Sequence, residues 1–200
     1  FPIIIEGICD ASIHTLIYKL TVIPCYQVQI INSKLNYDLA NDFYTIYPSA
    51  PTNSPVCIVC TVNSGINILA DTTSKPAFTT GNLPAGSHIT IVNNGSIIGK
   101  GGDAGVAYYP LQNMTGAGNN GGNAINLTVD ATIYNNSYMF GGGGGGNAMA
   151  FALSYNIPVV NINFGIFLGG GGGGGAGGGK GGNASNIFGL FYYTAGNNGT

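Results

Sequence analysis

The chain has 200 residues, of which 6% are charged, and a formal net charge of −2; typical soluble domains carry about 25% charged residues. Five lysines and no arginine leave no basic footprint for nucleic acid. The sparse charge also lowers the repulsion between surfaces, which predicts a homo-oligomer or homopolymer.

The opening residues, FPIII and then TLIYKLTVIP and YQVQII, alternate β-branched and polar positions and predict strands. The chain begins at Phe1 rather than Met, which reads as a processed product or a fragment, and a removed signal peptide would account for it. No apolar run reaches the ~18 residues of a membrane-spanning helix, so no membrane span is predicted. Residues 34–46 hold the best helical spacing, with Leu35, Leu39 and Phe43 at i, i+4 and i+8. Pro48, Pro51 and Pro55 then mark a loop, and strands resume at VCIVCTV and INIL.

Four cysteines, Cys9, Cys25, Cys57 and Cys60, fall in the first third. An even count permits disulfides among them in a secreted protein. Cys57 and Cys60 have the spacing of a redox or zinc pair, but IVCTV reads as a strand, no second CxxC follows, and His14 and His88 are remote. Both read as small apolar core residues, and no metal site is predicted.

From Ile89 the chain repeats. ITIVNNGSIIG (89–99), ATIYNNSYMFG (131–141) and VVNINFGIFLG (159–169) each read as strand, Asn/Gly turn and second strand, and NIFGLFYYTAG (186–196) is a weaker copy. GGDA (101–104) and GGNA (121–124, 145–148 and 181–184) recur between the apolar segments. Fixed order with variable spacing predicts stacked units.

Between these units lie glycine runs, Gly141–Gly146 and Gly169–Gly182. A flexible linker is one reading. The runs are flanked by dense apolar segments, which instead predicts ordered rods of the polyproline II type, bonded laterally through their own amides. At roughly 3.1 Å per residue the longer run would make a rod of about 43 Å. Rod packing is assigned to Gly99, Gly101, Gly102, Gly121, Gly122, to Gly141, Gly142, Gly143, Gly144, Gly145 and Gly146, and to Gly169, Gly170, Gly171, Gly172, Gly173, Gly174, Gly175, Gly177, Gly178 and Gly179. Lys180 is read as a solvent-facing position that helps to set rod register.

The insertions Gly105–Asn120 and Met149–Ile157 are predicted to emerge at the rod ends. Their Tyr108, Tyr109, Gln112, Asn113 and Tyr155 are candidates for recognition, or for packing between units. Sequons begin at Asn94, Asn113, Asn126, Asn135, Asn183 and Asn198, candidate glycosylation sites whose use depends on the host. The two Gly-Lys dipeptides, at Lys100 and Lys180, are followed by glycine and complete no phosphate loop. The acids are scattered and no catalytic motif occurs, so neither catalysis nor a cofactor is predicted.

These residues resemble the glycine-rich modules of bacteriophage tail-fibre adhesins and tail-tip host-specificity proteins. The similarity starts near Asn36-Tyr37-Asp38-Leu39, firms at TVNSGINI (61–68), and is densest over FTTGNLPAGSHITIVNNGSIIGKGGDAG (78–105). It continues through GGNAINL and both glycine runs, covering roughly residues 35–187. The resemblance implies a sandwich of polyglycine rods with receptor-binding loops at the far end, on an extracellular, cell-surface or virion-surface fibre protein without catalysis. A cell-surface receptor, glycan or outer-membrane protein, is the partner that it implies. The first thirty residues and the cysteines depart from that pattern, and an apolar extension is what a self-polymerising filament subunit would need.

The predicted fold is therefore all-β: an N-terminal β extension and assembly segment (1–30), a β-rich module (31–85), and stacked strand-turn-strand repeats with a polyglycine II helix sandwich (86–200). The predicted function is a non-enzymatic, self-assembling filament subunit or fibre module. The alternative is a receptor-binding tip adhesin of a phage tail fibre, and a remote one is an ice-binding protein, which would need a flat regular face of Thr or Ala.

Overall fold

The computed structural model describes residues 3–10, 15–22, 24–105, 107–108, 116–157, 162–170, 177–182, 184–185, 193–194 and 197–200. Side-chain surroundings are described for 24–105, 116–148, 177–182 and 197–200. Among the described residues the chain is all-β apart from one short helix. At the N-terminus β1 (Ile3–Asp10) and β2 (Thr15–Val22) pair antiparallel as a sheet of their own.

The next strands are short and are laid down in turns of a parallel coil. The first turn holds β3 (Tyr26–Ile30), β4 (Lys34–Leu35) and β5 (Tyr37–Asp38), followed by α1 (Leu39–Ile46). The second holds β6 (Cys57–Val62), β7 (Asn67–Leu69) and β8 (Phe78–Thr79). The third begins with β9 (His88–Asn93) and β10 (Ser96–Ile98). It leaves the coil through a glycine excursion that includes β11 (Ala107–Tyr108) and returns at β12 (Ile125–Asn126). The fourth holds β13 (Asp130–Asn135) and β14 (Tyr138–Phe140).

Equivalent strands stack in parallel and in chain order. One sheet runs β3, β6, β9, β13, a second β4, β7, β10, β14, and a third β5, β8, β12. The first sheet draws strands from before residue 31, from 31–85 and from beyond 86. The boundaries predicted at 30/31 and 85/86 thus fall inside one shared core. Along β3, β6, β7, β9 and β10 alternate residues point inward, and Val28, Ile58, Ile89, Ile91, Ile68, Ile97 and Phe78 are fully buried. β-branched side chains fit this stacking because equivalent positions meet face to face between turns.

The helix begins later than the spacing of Leu35, Leu39 and Phe43 predicts. Asn36 N–H donates to the Leu69 carbonyl (2.9 Å) and Tyr37 N–H to that of Ala77 (2.8 Å), so residues 34–38 are held by the second turn. Asn36 turns the corner with φ of 47°, a conformation asparagine tolerates better than most residues. Leu35 consequently points to solvent, 62% exposed. Asp38 then caps the helix, its Oδ1 accepting from Asn41 N–H at 3.0 Å. Leu39, Ala40 and Phe43 are buried against the first turn, and Tyr47 Oη donates to the Gln27 carbonyl of edge strand β3 (2.8 Å). Tyr37 Oη donates to Asp42 Oδ2 (2.7 Å), and burial raises the phenol well above its ordinary range, so it stays a donor.

Cys25 and Cys57 are joined by a disulfide, and Cys60 is a free, buried thiol. Cys57 is therefore not simply a small core residue, and Cys60 leaves the candidate disulfide set: odd and even positions of β6 face opposite ways, and Cys60 points into the core with Ile58 and Val62. The side chain of Cys9 lies outside the described residues.

The corner between the first two sheets is built on Asn93. Its side chain is fully buried, donates to Asn135 Oδ1 (2.7 Å) and the Tyr138 carbonyl (3.0 Å), and accepts from Gly95 N–H (3.2 Å). An Asn93→Ala variant leaves a buried donor and acceptor without partners, at a cost of about 2–3 kcal/mol. Calorimetry is expected to show Tm lowered by roughly 5–10 °C; an unchanged Tm would mean that water replaces the amide.

Two predicted elements differ beyond the fourth turn. Met149–Ile157 is not a loop but strand β15, and Ile162–Gly170 is one continuous strand, β16, paired antiparallel with it. Phe151, Leu153, Tyr155 and Ile157 alternate as a strand requires. Phe164-Gly165 lacks the Asn-Asn pair that turns the two earlier copies, so the third copy runs straight through. The weaker fourth copy lies largely outside the described residues. Short strands β17 (Ala184–Ser185) and β18 (Tyr193–Thr194) pair in parallel with β11 and β16 respectively.

Candidate functional site

The glycine excursions leave the coil from β10 and β14, and their backbones bond to one another sideways. Segments 99–105 and 141–148 run the same way: Gly102 N–H donates to the Gly143 carbonyl and Gly105 N–H to that of Gly146, both at 2.9 Å. Segment 116–123 runs back between them. Asn119 and Gly122 donate to the carbonyls of Asp103 (2.8 Å) and Lys100 (2.7 Å), while Gly142, Gly145 and Ala148 donate to those of Gly122, Asn119 and Gly116, each at 2.8 Å. Each series recurs every third residue. The three segments thus bond mutually in a triangle. Residues 177–182 join the first segment through Gly101 N–H to the Gly177 carbonyl (3.0 Å) and Ala104 N–H to that of Lys180 (2.9 Å), and residues 197–200 bond to 177–182 in turn.

The same period sorts the side chains. A Cβ on Gly102 or Gly105 would overlap the carbonyls of Asn119 or Gly116, one on Gly118 or Gly121 those of Gly145 or Gly142, and one on Gly142 or Gly145 those of Lys100 or Asp103. The next column faces solvent. Asp103, Ala117, Asn120, Asn123 and Asn147 are exposed and Lys100 is half-buried, all spaced by threes within their segments. The recurring Gly-Gly-Asp/Asn-Ala motif has a physical meaning: its third residue points outward, and Ala104, Ala124 and Ala148 are buried.

Some assigned glycines stand elsewhere. Gly141 and Gly144 are exposed, and a methyl added there would come no nearer than 3.3 Å to the Gly122 carbonyl oxygen and 3.8 Å to that of Asn119 respectively. Gly169 and Gly170 end strand β16, and Gly177 and Gly178 form a turn with φ of 90° and 82°. Such a φ suits glycine and departs from a continuous rod of one hand. Gly171, Gly172, Gly173, Gly174 and Gly175 lie outside the described residues. Gly179 is buried and Lys180 exposed, with its N–H donating to Asp103 Oδ1 (2.8 Å).

The direction of the segments defines two ends. Strands β10, β12 and β14 occupy one. At the other, Gly105, Gly116, Gly146 and Ala148 lie together, bonded Gly105 to Gly146 and Ala148 to Gly116. Both insertions depart from this far end. Tyr108 lies just past it, on β11, and Tyr155 lies on β15 opposite Phe164. Tyr109, Gln112 and Asn113 lie outside the described residues, as do sequon residues Asn113 and Asn183. Asn126, Asn135 and Asn198 are exposed and Asn94 is half-buried. Asn94 accepts from the Asn136 amide, Asn135 bonds to Asn93, and Asn198 accepts from Gly181 N–H. Among the described residues no cluster of His, Cys, Asp or Glu could hold a metal ion, and no helix is long and apolar enough to cross a membrane.

The described residues thus form a parallel coil that continues into laterally bonded glycine segments, with both insertions departing from one end. Residues 26–200 match the family model described as phage tail fibre adhesin Gp38. The chain belongs to that family, which places it at the virion surface. The match favours the tip-adhesin alternative over the filament subunit. Among solved structures the chain is similar to the gp37-gp38 adhesin tip complex of the bacteriophage S16 long tail fibre, with a TM-score of 0.51 and 24% identity over 88% of this chain. It spans 58% of that solved chain, and the likeness carries the fold. No curated protein sequence matches it.

Proposed function

We propose that the protein is the receptor-binding tip of a phage tail fibre, a non-catalytic adhesin whose recognition surface is the far end of the glycine segments. The carrying observation is the antiparallel return of 116–123 between 99–105 and 141–148, which brings the two insertions to one end. Tyr108, Tyr109, Gln112, Asn113 and Tyr155 are assigned to contact with a host-surface glycan or outer-membrane protein. Tyrosine supplies large area at low entropy cost, and amides supply adaptable hydrogen bonds. The glycine segments serve as a polyglycine II sandwich, for which the three-residue recurrence of the lateral bonds is the support. A fibre protein is the fitting partner at the other end; the S16 relative is a complex of gp37 with gp38.

Replacing residues 108–113 with Gly-Ser of equal length tests the reading. Adsorption to host cells is expected to fall at least about tenfold, the equivalent of 1.4 kcal/mol, with the melting profile retained. Full adsorption by a folded variant would remove the assignment. An ice-binding role finds no support on the first sheet of the coil: its outward rows read Gln27, Val59, Thr90, Thr132 and Gln29, Thr61, Val92, Tyr134, which is not a regular Thr face.

A further inference from the structure

We propose that the Cys25–Cys57 disulfide is a redox latch on the first turn of the coil, closed after folding by exchange with a small-molecule disulfide such as oxidised glutathione. The first turn is the end of the stack. Among the described residues β3 pairs with β6 on one side only, and β4 and β5 are two residues each with a single neighbour. Edges with few ladder bonds are where native proteins open locally.

The parallel register places the two cysteines side by side. Tyr26 pairs with Ile58, so the preceding Cys25 and Cys57 are adjacent, at a Cα–Cα distance of 4.5 Å. That separation lies within the range disulfides span unstrained. In the latch, oxidation follows folding, and the bond closes a loop of sequence separation 32 that contains α1 and the proline-rich 48–55 segment.

Access differs between the cysteines. Cys25 is half-buried, Cys57 is 3% exposed, and Cys60 is fully buried. Burial, and the Asp42 charge after it, push the Cys60 thiol up to about 12, so it stays protonated and out of exchange. In the closing reaction the Cys25 thiolate attacks one glutathione sulfur and expels the first glutathione. Cys57 then attacks the mixed disulfide at the Cys25 sulfur and expels the second. Two protein thiols are oxidised, one glutathione disulfide is reduced, and both hydrogens end on glutathione. In a reducing compartment the latch stands open, and in an oxidising one it closes.

Hydrogen exchange on the full chain, carrying Cys9→Ser to leave one exchanging pair, tests this. On reduction, amides of 26–47 are expected to exchange on the order of 100-fold faster, while those of 88–98 and 141–148 hold their rates. Oxidised glutathione added to the folded, reduced protein should restore protection. Cys25→Ser should show the reduced pattern in either buffer. Unchanged exchange at 26–47, equal acceleration across the whole chain, or failure of oxidised glutathione to close the bond would each overturn the latch.

Discussion

Gly145→Ala is expected to disrupt the glycine half of the protein, whereas Gly144→Ala, one residue away, leaves it folded. A methyl on Gly145 would overlap the Asp103 carbonyl, and backbone on a neighbouring segment cannot step aside as a side chain would. Separating the segments forfeits lateral bonds on either side, Gly145 N–H to Asn119 and Gly105 N–H to Gly146. With a net value of about 0.5–1.5 kcal/mol for each bond and roughly 1–3 kcal/mol of overpacking strain, the cost is on the order of 3 kcal/mol or more. At Gly144 the added methyl meets only the Asn119 carbonyl oxygen at 3.8 Å, an ordinary contact. Alanine there also restricts the unfolded chain, which shifts stability by about +0.4 to +1 kcal/mol. Urea titration of the two variants reads the difference. Equal behaviour, in either direction, would mean that the segments do not pack side by side.

Phe43→Ala is expected to cost about 3–5 kcal/mol by uncapping the other end of the molecule. Phe43 is fully buried, with Tyr26 edge-on at 5.1 Å between ring centroids and Tyr44 and Tyr47 at 4.9 and 5.6 Å. It is the largest fully buried side chain on α1, and its removal leaves an aromatic cluster around a void. Phe43→Leu should recover most of the loss, because volume-conserving apolar swaps cost less than about 1.5 kcal/mol. A loss under about 1 kcal/mol for the alanine variant would show that α1 is not what closes the coil.

Much of this architecture could be read from residues alone. The alignment of 89–99 with 131–141 is the strand register itself, since the Asn93 and Asn135 side chains that it matches are hydrogen-bonded across 42 residues. The Gly-Gly-Asp/Asn-Ala recurrence likewise marked where segments cross between solvent and core. The parallel coil was not legible before residue 86, because β4, β5 and β8 have two residues each and show no alternation. Helical spacing at Leu35 was overridden by backbone bonds to a turn laid down some thirty residues later. Cysteine connectivity is not contained in spacing; it follows from the β3–β6 register, which only tertiary structure supplies. At the candidate site the insertions were visible as interruptions of a repeat. Their common end depends on the direction of 116–123, and glycine has no side-chain pattern from which direction could be inferred.

The return of the first glycine excursion to the coil, at β12, has an evolutionary corollary under the proposed function. Changes to the insertions do not propagate toward the joint with the fibre, because what intervenes is cohesive through peptide groups that every sequence possesses. If the insertions are the recognition surface proposed above, substitution, lengthening or exchange at that end changes host range while the same mount serves each version.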